Sequence, residues 1–95
     1  MPDAFEVTHD PATGRFEIST PSGTAMLTYV HRGADLEILH TEVPDELEGH
    51  GYGAALARAA LDYARGERLK VIPSCPFVSG YIRRHPKDAE LVALD

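Results

Sequence analysis

Cysteine is scarce in this sequence, and Cys75 is its single thiol. One cysteine cannot form an intramolecular disulfide, nor can it supply the several thiolates of a structural zinc site. A disulfide-stapled secreted scaffold is therefore excluded, and a reducing cytoplasm is the expected compartment. The five histidines show no ligand spacing such as His-x-x-x-His, so we expect no metal site.

Basic residues and long apolar runs are also in short supply. Nine Lys and Arg stand against fifteen Asp and Glu, which gives a formal net charge of −6. Nucleic acids and anionic membranes need a basic footprint, so neither is an expected partner. No apolar run reaches the ~18 residues of a transmembrane helix. The first residues lack the basic and apolar regions of a signal peptide.

The composition that remains is that of a folded chain. Apolar residues make up 43% of the 95 residues and charged residues 25%, which is typical of globular proteins. This length allows one domain, and we assign residues 1–95 to it. The charge predicts good solubility, and we expect a monomer or a weak homodimer.

The first half of the chain is divided by turn signals rich in Pro, Gly and Asp. Between the turns, apolar and polar residues alternate, which predicts strands about ten residues apart. In the fourth strand this alternation places Leu36, Ile38 and His40 on one face. The predicted strands span residues 4–9, 15–20, 24–31 and 36–43.

The second half changes to a helical pattern. Residues 52–64 contain no Pro, and their one Gly is the second residue, Gly53. Their apolar residues repeat at helical spacing, and Gly66 is the expected C-cap. A short apolar strand follows at 69–73, then a helix at 77–85 and a last turn at 88–94. The order β-β-β-β-α-β-α predicts an α+β fold, a mostly antiparallel sheet with helices packed on it.

Three alternate glycines, Gly49, Gly51 and Gly53, open the first predicted helix. Glycine lets backbone N–H groups approach a ligand, and the first N–H groups of a helix lack internal partners. Together they predict a phosphate or pyrophosphate site, although an ordinary glycine-rich turn has the same pattern. A Walker loop is excluded because no Lys follows Gly53, and a dinucleotide fold needs parallel strands and a longer chain.

Four segments, in order, carry a resemblance to a known family: residues 40–44 (HTEVP), 48–53 (EGHGYG), 73–78 (PSCPFV) and 81–86 (YIRRHP). They resemble the acetyl-CoA site of the GNAT acetyltransferase superfamily, and within it the small YjdJ-type acetyltransferase-like domains. The resemblance runs from about residue 36 to 92. The helices that usually lie between the first two strands have no room here, so the acceptor site is expected to be open.

The resemblance implies a coenzyme A site in residue detail. Backbone groups at Val43 would pair with the pantetheine arm, and backbone N–H groups of the loop would hold the pyrophosphate. Glu48 stands where the superfamily usually has Gln or Arg, which leaves that loop to bind through its backbone. The basic cluster of Arg83, Arg84, His85 and Lys87 predicts a solvated helix end, with contact between Arg84 and the 3′-phosphate of CoA as the alternative hypothesis. The loop residues assigned to cofactor binding are Glu48, Gly49, His50, Gly51, Tyr52, Gly53 and Ala54.

Three side chains are the candidate catalytic residues for acetyl transfer. Tyr81 lies where many members of the superfamily place the tyrosine that protonates the CoA thiolate; alternatively it packs in the core. Cys75 is a candidate acyl-cysteine nucleophile or acid, activated by the next helix N-terminus or by His40. His40 is a candidate base or cysteine partner, with a core histidine as the alternative. Glu42 is a second candidate base, with a solvated or structural carboxylate as the alternative.

The expected function is therefore that of an acetyl-CoA-binding N-acetyltransferase acting on an amine of a small molecule or protein. The alternatives are a non-catalytic acyl-CoA-binding or sensor module, an interaction protein, and a protein acylated at its own Cys75. A zinc deaminase is excluded, because Val78 stands where that signature needs a second cysteine.

Overall fold

The computed structural model describes residues 5–93 and has the predicted order of elements. The strands are β1 (Thr8–Asp10), β2 (Arg15–Thr20), β3 (Gly23–Arg32), β4 (Asp35–Glu42) and β5 (Lys70–Pro73), and the helices are α1 (Tyr52–Gly66) and α2 (Pro76–Arg84). Short 3-10 segments at Asp45–Leu47 and Pro86–Leu91 precede α1 and follow α2. The first strand begins at Thr8, later than predicted. The predicted first strand begins at position 4 and the predicted last turn ends at position 94, and both positions lie outside the described residues.

The five strands form one sheet in the order β1-β2-β3-β4-β5. Neighbours from β1 to β4 are antiparallel, because tight turns join them, and β5 is parallel to β4. A parallel neighbour needs a crossover connection, and α1 supplies it. The predicted α+β fold with a mostly antiparallel sheet is confirmed.

Both helices contribute to a single hydrophobic core on one face of the sheet. The inward residues of the strands and of α1 are almost completely buried, as the alternation and the helical spacing predict. The largest apolar side chains that are completely buried in this core are Leu27, Leu36, Ile38, Leu56, Leu61, Val71 and Val78. The other face carries the partly exposed Val30 and Leu39. Within residues 5–93, neither helix is long and apolar enough to cross a membrane.

A bulge in β4 overturns one prediction about the strand faces. Tyr29 pairs with Ile38, but Thr28 pairs with His40, so Leu39 is an extra residue without a partner on β3. An extra residue reverses the alternation beyond it. His40 therefore shares a face with Thr28, away from the core, and is exposed. The prediction that His40 lies on the same face as Ile38 is wrong.

The C-terminus of α1 contains a strained residue. Arg68 has φ = 60°, and its neighbour Leu69 donates its backbone N–H to the Ala64 carbonyl at 2.8 Å. This arrangement is a Schellman motif, in which the left-handed position is usually glycine. The predicted cap at Gly66 is displaced by two residues, because the helix includes Gly66 and turns left-handed at Arg68.

Replacing Arg68 by glycine is expected to stabilise the fold by about 1 kcal/mol, since the left-handed conformation costs a non-glycine residue roughly 1–2 kcal/mol. Urea unfolding of Arg68→Gly and wild type measures the difference. Arg68→Ala is the matched control, because it removes the same charge and keeps the Cβ. If Arg68→Ala stabilises the protein as much as Arg68→Gly, the backbone explanation is wrong.

Candidate functional site

A cavity of about 480 Å³ lies between the end of β4, the loop that follows it and the first turn of α1, with Phe77 of α2 as one wall. This volume falls within the ~300–1,000 Å³ of small-molecule sites. The lining residues are Thr41, Val43, Leu47, Glu48, Gly49, Gly51, Tyr52, Gly53, Ala54 and Phe77. The glycine-rich segment found in the sequence therefore lines the cavity, except for His50, which is exposed outside the lining.

The first turn of α1 presents free backbone donors at this cavity. Ala55 is bonded to the Gly51 carbonyl at 3.0 Å, so the N–H groups of Tyr52, Gly53 and Ala54 precede the first intrahelical bond. The N-cap residue Gly51 has no side chain to occupy them. Such a helix N-terminus attracts anions through its N–H groups and its partial positive charge.

Two of the glycines are required by the geometry of the site. Gly51 has φ = 89°, a left-handed conformation that residues with a Cβ rarely adopt. Gly53 is buried under the Phe77 ring, and a Cβ there would lie 2.8 Å from that ring. The glycines thus shape the turn and let α1 and α2 approach each other beside the cavity.

The edge of β4 is free where it reaches the cavity. The parallel pairing with β5 ends at Ile38 and Pro73, and Cys75 donates its N–H to the Ile38 carbonyl at 3.0 Å. Beyond this point β4 continues to Glu42 without a β5 partner. An unpaired strand edge offers alternating N–H and C=O groups to an extended amide chain. Val43, at the end of this edge, lines the cavity.

Cys75 lies behind the cavity wall. It is 3% exposed, it is the N-cap residue of α2, and its Sγ donates to Thr41 Oγ1 at 3.4 Å. Thr41 itself lines the cavity. The bulge at Leu39 explains this contact, because it turns Thr41 to the core face, where its β3 partner Leu27 also lies.

His40 is not beside the cysteine. The same bulge places the imidazole on the opposite face of the sheet. Within residues 5–93, the histidine rings that form hydrogen bonds are those of His9, His31 and His85. The expected His40–Cys75 pair is therefore wrong. A threonine hydroxyl occupies the place beside the thiol instead.

Tyr81 is held by another residue and does not line the cavity. Its hydroxyl accepts hydrogen bonds from Arg58 Nη2 at 3.0 Å and Nε at 3.2 Å. The same guanidinium donates to Asp88 Oδ2 at 2.7 Å, and Arg65 Nη2 donates to Asp88 Oδ1 at 3.3 Å. Burial alone would raise the pKa of Asp88, but the two arginines hold it below its usual value. This network ties α1, α2 and the last 3-10 segment together.

Sequence reasoning missed three residues of the site region. The position of Thr41 beside the cavity depends on the bulge at Leu39. This bulge cannot be predicted from the sequence, because leucine is an ordinary strand residue. Phe77 was read as the start of a helix, yet it is 41% exposed and forms a cavity wall. Arg58 lies outside the apolar repeat of α1, and nothing in the sequence around it indicates its contact with Asp88.

Nothing among residues 5–93 brings three or more His, Cys, Asp or Glu side chains together as a metal site would require. The polar side chains among the lining residues are those of Thr41, Glu48 and Tyr52, and the Cys75 thiol lies behind Thr41. Glu48 lines the cavity with an exposed side chain, while Arg84 lies at the end of α2 outside the lining.

Residues 15–91 match the family model described as GCN5-related N-acetyl-transferase. The chain belongs to this family. The superfamily resemblance found in the sequence is confirmed. The matched region includes the sheet from β2 onward, the cavity and both helices.

Named relatives and a solved structure agree with this assignment. The chain is 34% identical to human protein NATD1 over 85 residues, covering 86% of this chain and 75% of that protein. It is 33% identical to chicken protein NATD1, covering 86% and 77%. The NMR structure of a GCN5-like protein from Staphylococcus aureus is 28% identical, with a TM-score of 0.75, covering 99% of this chain and 94% of that one.

Proposed function

We propose that this protein binds acetyl-CoA and transfers the acetyl group to an amine. The observation that carries the proposal is the meeting of two free backbone surfaces at one cavity: the unpaired edge of β4 and the open N-terminus of α1. Pantetheine is an extended diamide that suits a strand edge, and a pyrophosphate suits a helix N-terminus. The GNAT fold generally binds acetyl-CoA, which supports this reading.

Each end of the cavity has a role under this proposal. The N–H groups at the start of α1 hold the pyrophosphate, while β4 up to Val43 pairs with the pantetheine amides. Glu48 contributes its backbone and exposes its carboxylate to solvent, since a carboxylate beside phosphate is unfavourable. His50 and Tyr52 contribute backbone N–H groups at the loop and the first helical turn.

Cys75 is the proposed nucleophile, and because its thiol is 3% exposed behind Thr41, the Thr41 side chain has to turn aside before the thioester reaches the sulfur. The sulfur, having lost its proton to solvent or to a base, attacks the thioester carbonyl carbon and forms a new S–C bond. The bond from that carbon to the CoA sulfur breaks, and the CoA thiolate takes up a proton. An amine then attacks the acyl-cysteine, loses a proton and leaves as the amide, which returns the thiol. The N-terminus of α2 favours negative charge at this sulfur.

His40 and Glu42, the candidate bases of the sequence, lie on the sheet face opposite Cys75, so neither is assigned the role of base in this step and the amine loses its proton to solvent. Tyr81 is assigned a structural role, because its hydroxyl is hydrogen-bonded to Arg58. For Tyr81 to protonate the CoA thiolate directly, this hydrogen bond has to break.

A second candidate function is a non-catalytic acyl-CoA-binding module. It is favoured by the placement of two predicted catalytic side chains, because Tyr81 is engaged by Arg58 and His40 lies on the opposite face from Cys75. Such a module would use the same cavity and would release acetyl-CoA unchanged.

Calorimetric titration of the protein with acetyl-CoA, followed by mass spectrometry of the intact protein, tests the proposal. We expect binding and a mass gain of one acetyl group, which added primary amines remove. Gly53→Val is the site variant, because its side chain meets the Phe77 ring, and Gly66→Ala is a control away from the cavity. The absence of binding by wild type at millimolar acetyl-CoA would reject the function. Binding without transfer to any amine would favour the module.

A further inference from the structure

The segment that precedes β1 packs on the glycine-rich loop of the cavity. The Phe5 ring lies beside the Tyr52 ring, with centroids 4.3 Å apart and planes inclined by 31°. The Cε2 atom of Phe5 is also 3.6 Å from the position that a Cβ would occupy at Gly51. Gly51 and Tyr52 both line the cavity, whereas Phe5 lies outside the lining. Phe5 therefore contacts two residues of the candidate site from outside the cavity.

The loop has few interactions of its own that fix its backbone. Gly49 and Gly51 have φ = 82° and φ = 89°, and glycine loses more conformational freedom on folding than any other residue. Within residues 5–93, the N–H groups of Gly49, His50 and Gly51 donate no hydrogen bond to another backbone group. Apart from chain neighbours, the described atoms within 4 Å of the Cβ position at Gly51 all belong to Phe5. The turn at Gly51 therefore depends on packing against Phe5.

The segment that carries Phe5 is itself anchored through β1. The His9 ring stacks on Phe16 with centroids 4.0 Å apart, and its Nε2 is 2.5 Å from the Tyr29 hydroxyl. Burial is the main cause that raises the pKa of Tyr29 to about 12, so the phenol keeps its proton and donates it to the imidazole. Val7, between Phe5 and β1, packs against the hydrophobic core. These contacts fix the direction from which Phe5 reaches the loop.

We propose that Phe5 is a positioning residue for the cavity, which acts through Tyr52 and Gly51 to hold the turn whose N–H groups face the ligand. The inference rests on the proposed function and adds a segment that precedes residues 15–91, the region matched by the family model. A turn that is already ordered loses less conformational entropy when a ligand binds, so its affinity is higher than that of a disordered turn. The effect of Phe5 is therefore on the order of the loop, without contact with the ligand.

Phe5→Ala is expected to bind acetyl-CoA about 10-fold more weakly than wild type in calorimetry, which corresponds to ordering the backbone of about one residue. Phe5→Tyr keeps the ring and should retain the affinity of wild type. Val30→Ala is the matched control, because Val30 is 37% exposed and Phe5 36%, and Val30 lies on the uncovered face of the sheet. If Phe5→Ala lowers the urea midpoint of unfolding and leaves the affinity unchanged, Phe5 is merely structural and the proposal is wrong.

Backbone ¹⁵N relaxation tests the same role without a ligand. The order parameters of Gly49, His50 and Gly51 should fall in Phe5→Ala and stay at the wild-type values in Phe5→Tyr. In Tyr52→Ala the Phe5 ring has lost its partner, so adding Phe5→Ala should weaken binding little further. Unchanged order parameters in Phe5→Ala, or fully additive losses of affinity in the double variant, would overturn the positioning role and leave the proposed function standing. If wild type does not bind acetyl-CoA, the proposed function is rejected, and the order parameters alone decide whether Phe5 holds the turn.

Discussion

Replacing Cys75 by alanine is expected to abolish the acetyl-protein intermediate completely and to leave acetyl-CoA affinity within about twofold of wild type. The thiol lies behind Thr41 and outside the cavity lining, so its removal takes away the nucleophile without changing the binding surfaces. Intact-protein mass spectrometry after exposure to acetyl-CoA measures the first effect, and calorimetry measures the second.

Cys75→Ser is the matched variant, since it keeps a hydrogen-bonding group next to Thr41 but is a much weaker nucleophile. Turnover should fall in both variants. If Cys75→Ala transfers acetyl groups to an amine as fast as wild type, the acyl-cysteine route is rejected and direct transfer from acetyl-CoA takes its place. Thr41→Ser provides a fold control because the hydroxyl remains.

Replacing Asp88 by asparagine is expected to give the largest loss of stability, about 2–3 kcal/mol. Asp88 is 2% exposed and receives hydrogen bonds from Arg58 and Arg65. Removing the charge of one partner in a buried ion pair costs roughly 3–5 kcal/mol, and the partial exposure of both arginines places the expected loss below that range. Such a loss lowers the Tm by on the order of 10–20 °C in a domain of this size.

Asp62→Asn is the matched control for Asp88. Asp62 also pairs with Arg58, at 3.2 Å, but its side chain is 60% exposed. An exposed pair one helical turn apart contributes only about 0.3–0.5 kcal/mol. Equal losses for the two variants, measured by urea unfolding, would contradict the importance assigned to the buried network.

The pH dependence of the Asp88 variant follows from the lowered pKa. Because the folded pKa of Asp88 lies below its ordinary value of 3.8, the carboxylate stabilises the fold at all pH values above that value. The contribution disappears as the pH falls through the folded pKa. The stability difference between wild type and Asp88→Asn should therefore be constant from about pH 8 to 5 and shrink below about pH 4.

The glycine-rich loop is the part of the candidate site that local sequence predicts correctly. Glycines at alternate positions before an amphipathic segment predicted a helix start with free N–H groups, and the cavity forms there. This inference needs only residues that are neighbours in the chain, because glycine conformation and helix ends are local properties. The alternation of apolar residues likewise predicted the strands and most of the core.

The surroundings of the candidate catalytic side chains could not be predicted from local sequence. The alternation of the fourth strand predicts His40 on the same face as Ile38, and the bulge at Leu39 places it on the opposite face. The helical spacing predicts the position of Tyr81 on α2. The hydrogen bond that its hydroxyl accepts comes from Arg58, 23 residues earlier in the chain, and local sequence does not indicate it. Bulges and long-range polar contacts depend on neighbouring strands and helices that a single segment does not reveal.

The order of elements, the sheet class and the glycine-rich loop can be predicted from periodicity and turn residues, because these are set by local backbone preferences. The family follows from the resemblance of four short segments. Only the packed fold brings Thr41, not His40, beside Cys75 and joins Arg58 to Tyr81 and Asp88. These contacts arise only when separate elements pack on one sheet, since their distances are set by register and packing between segments.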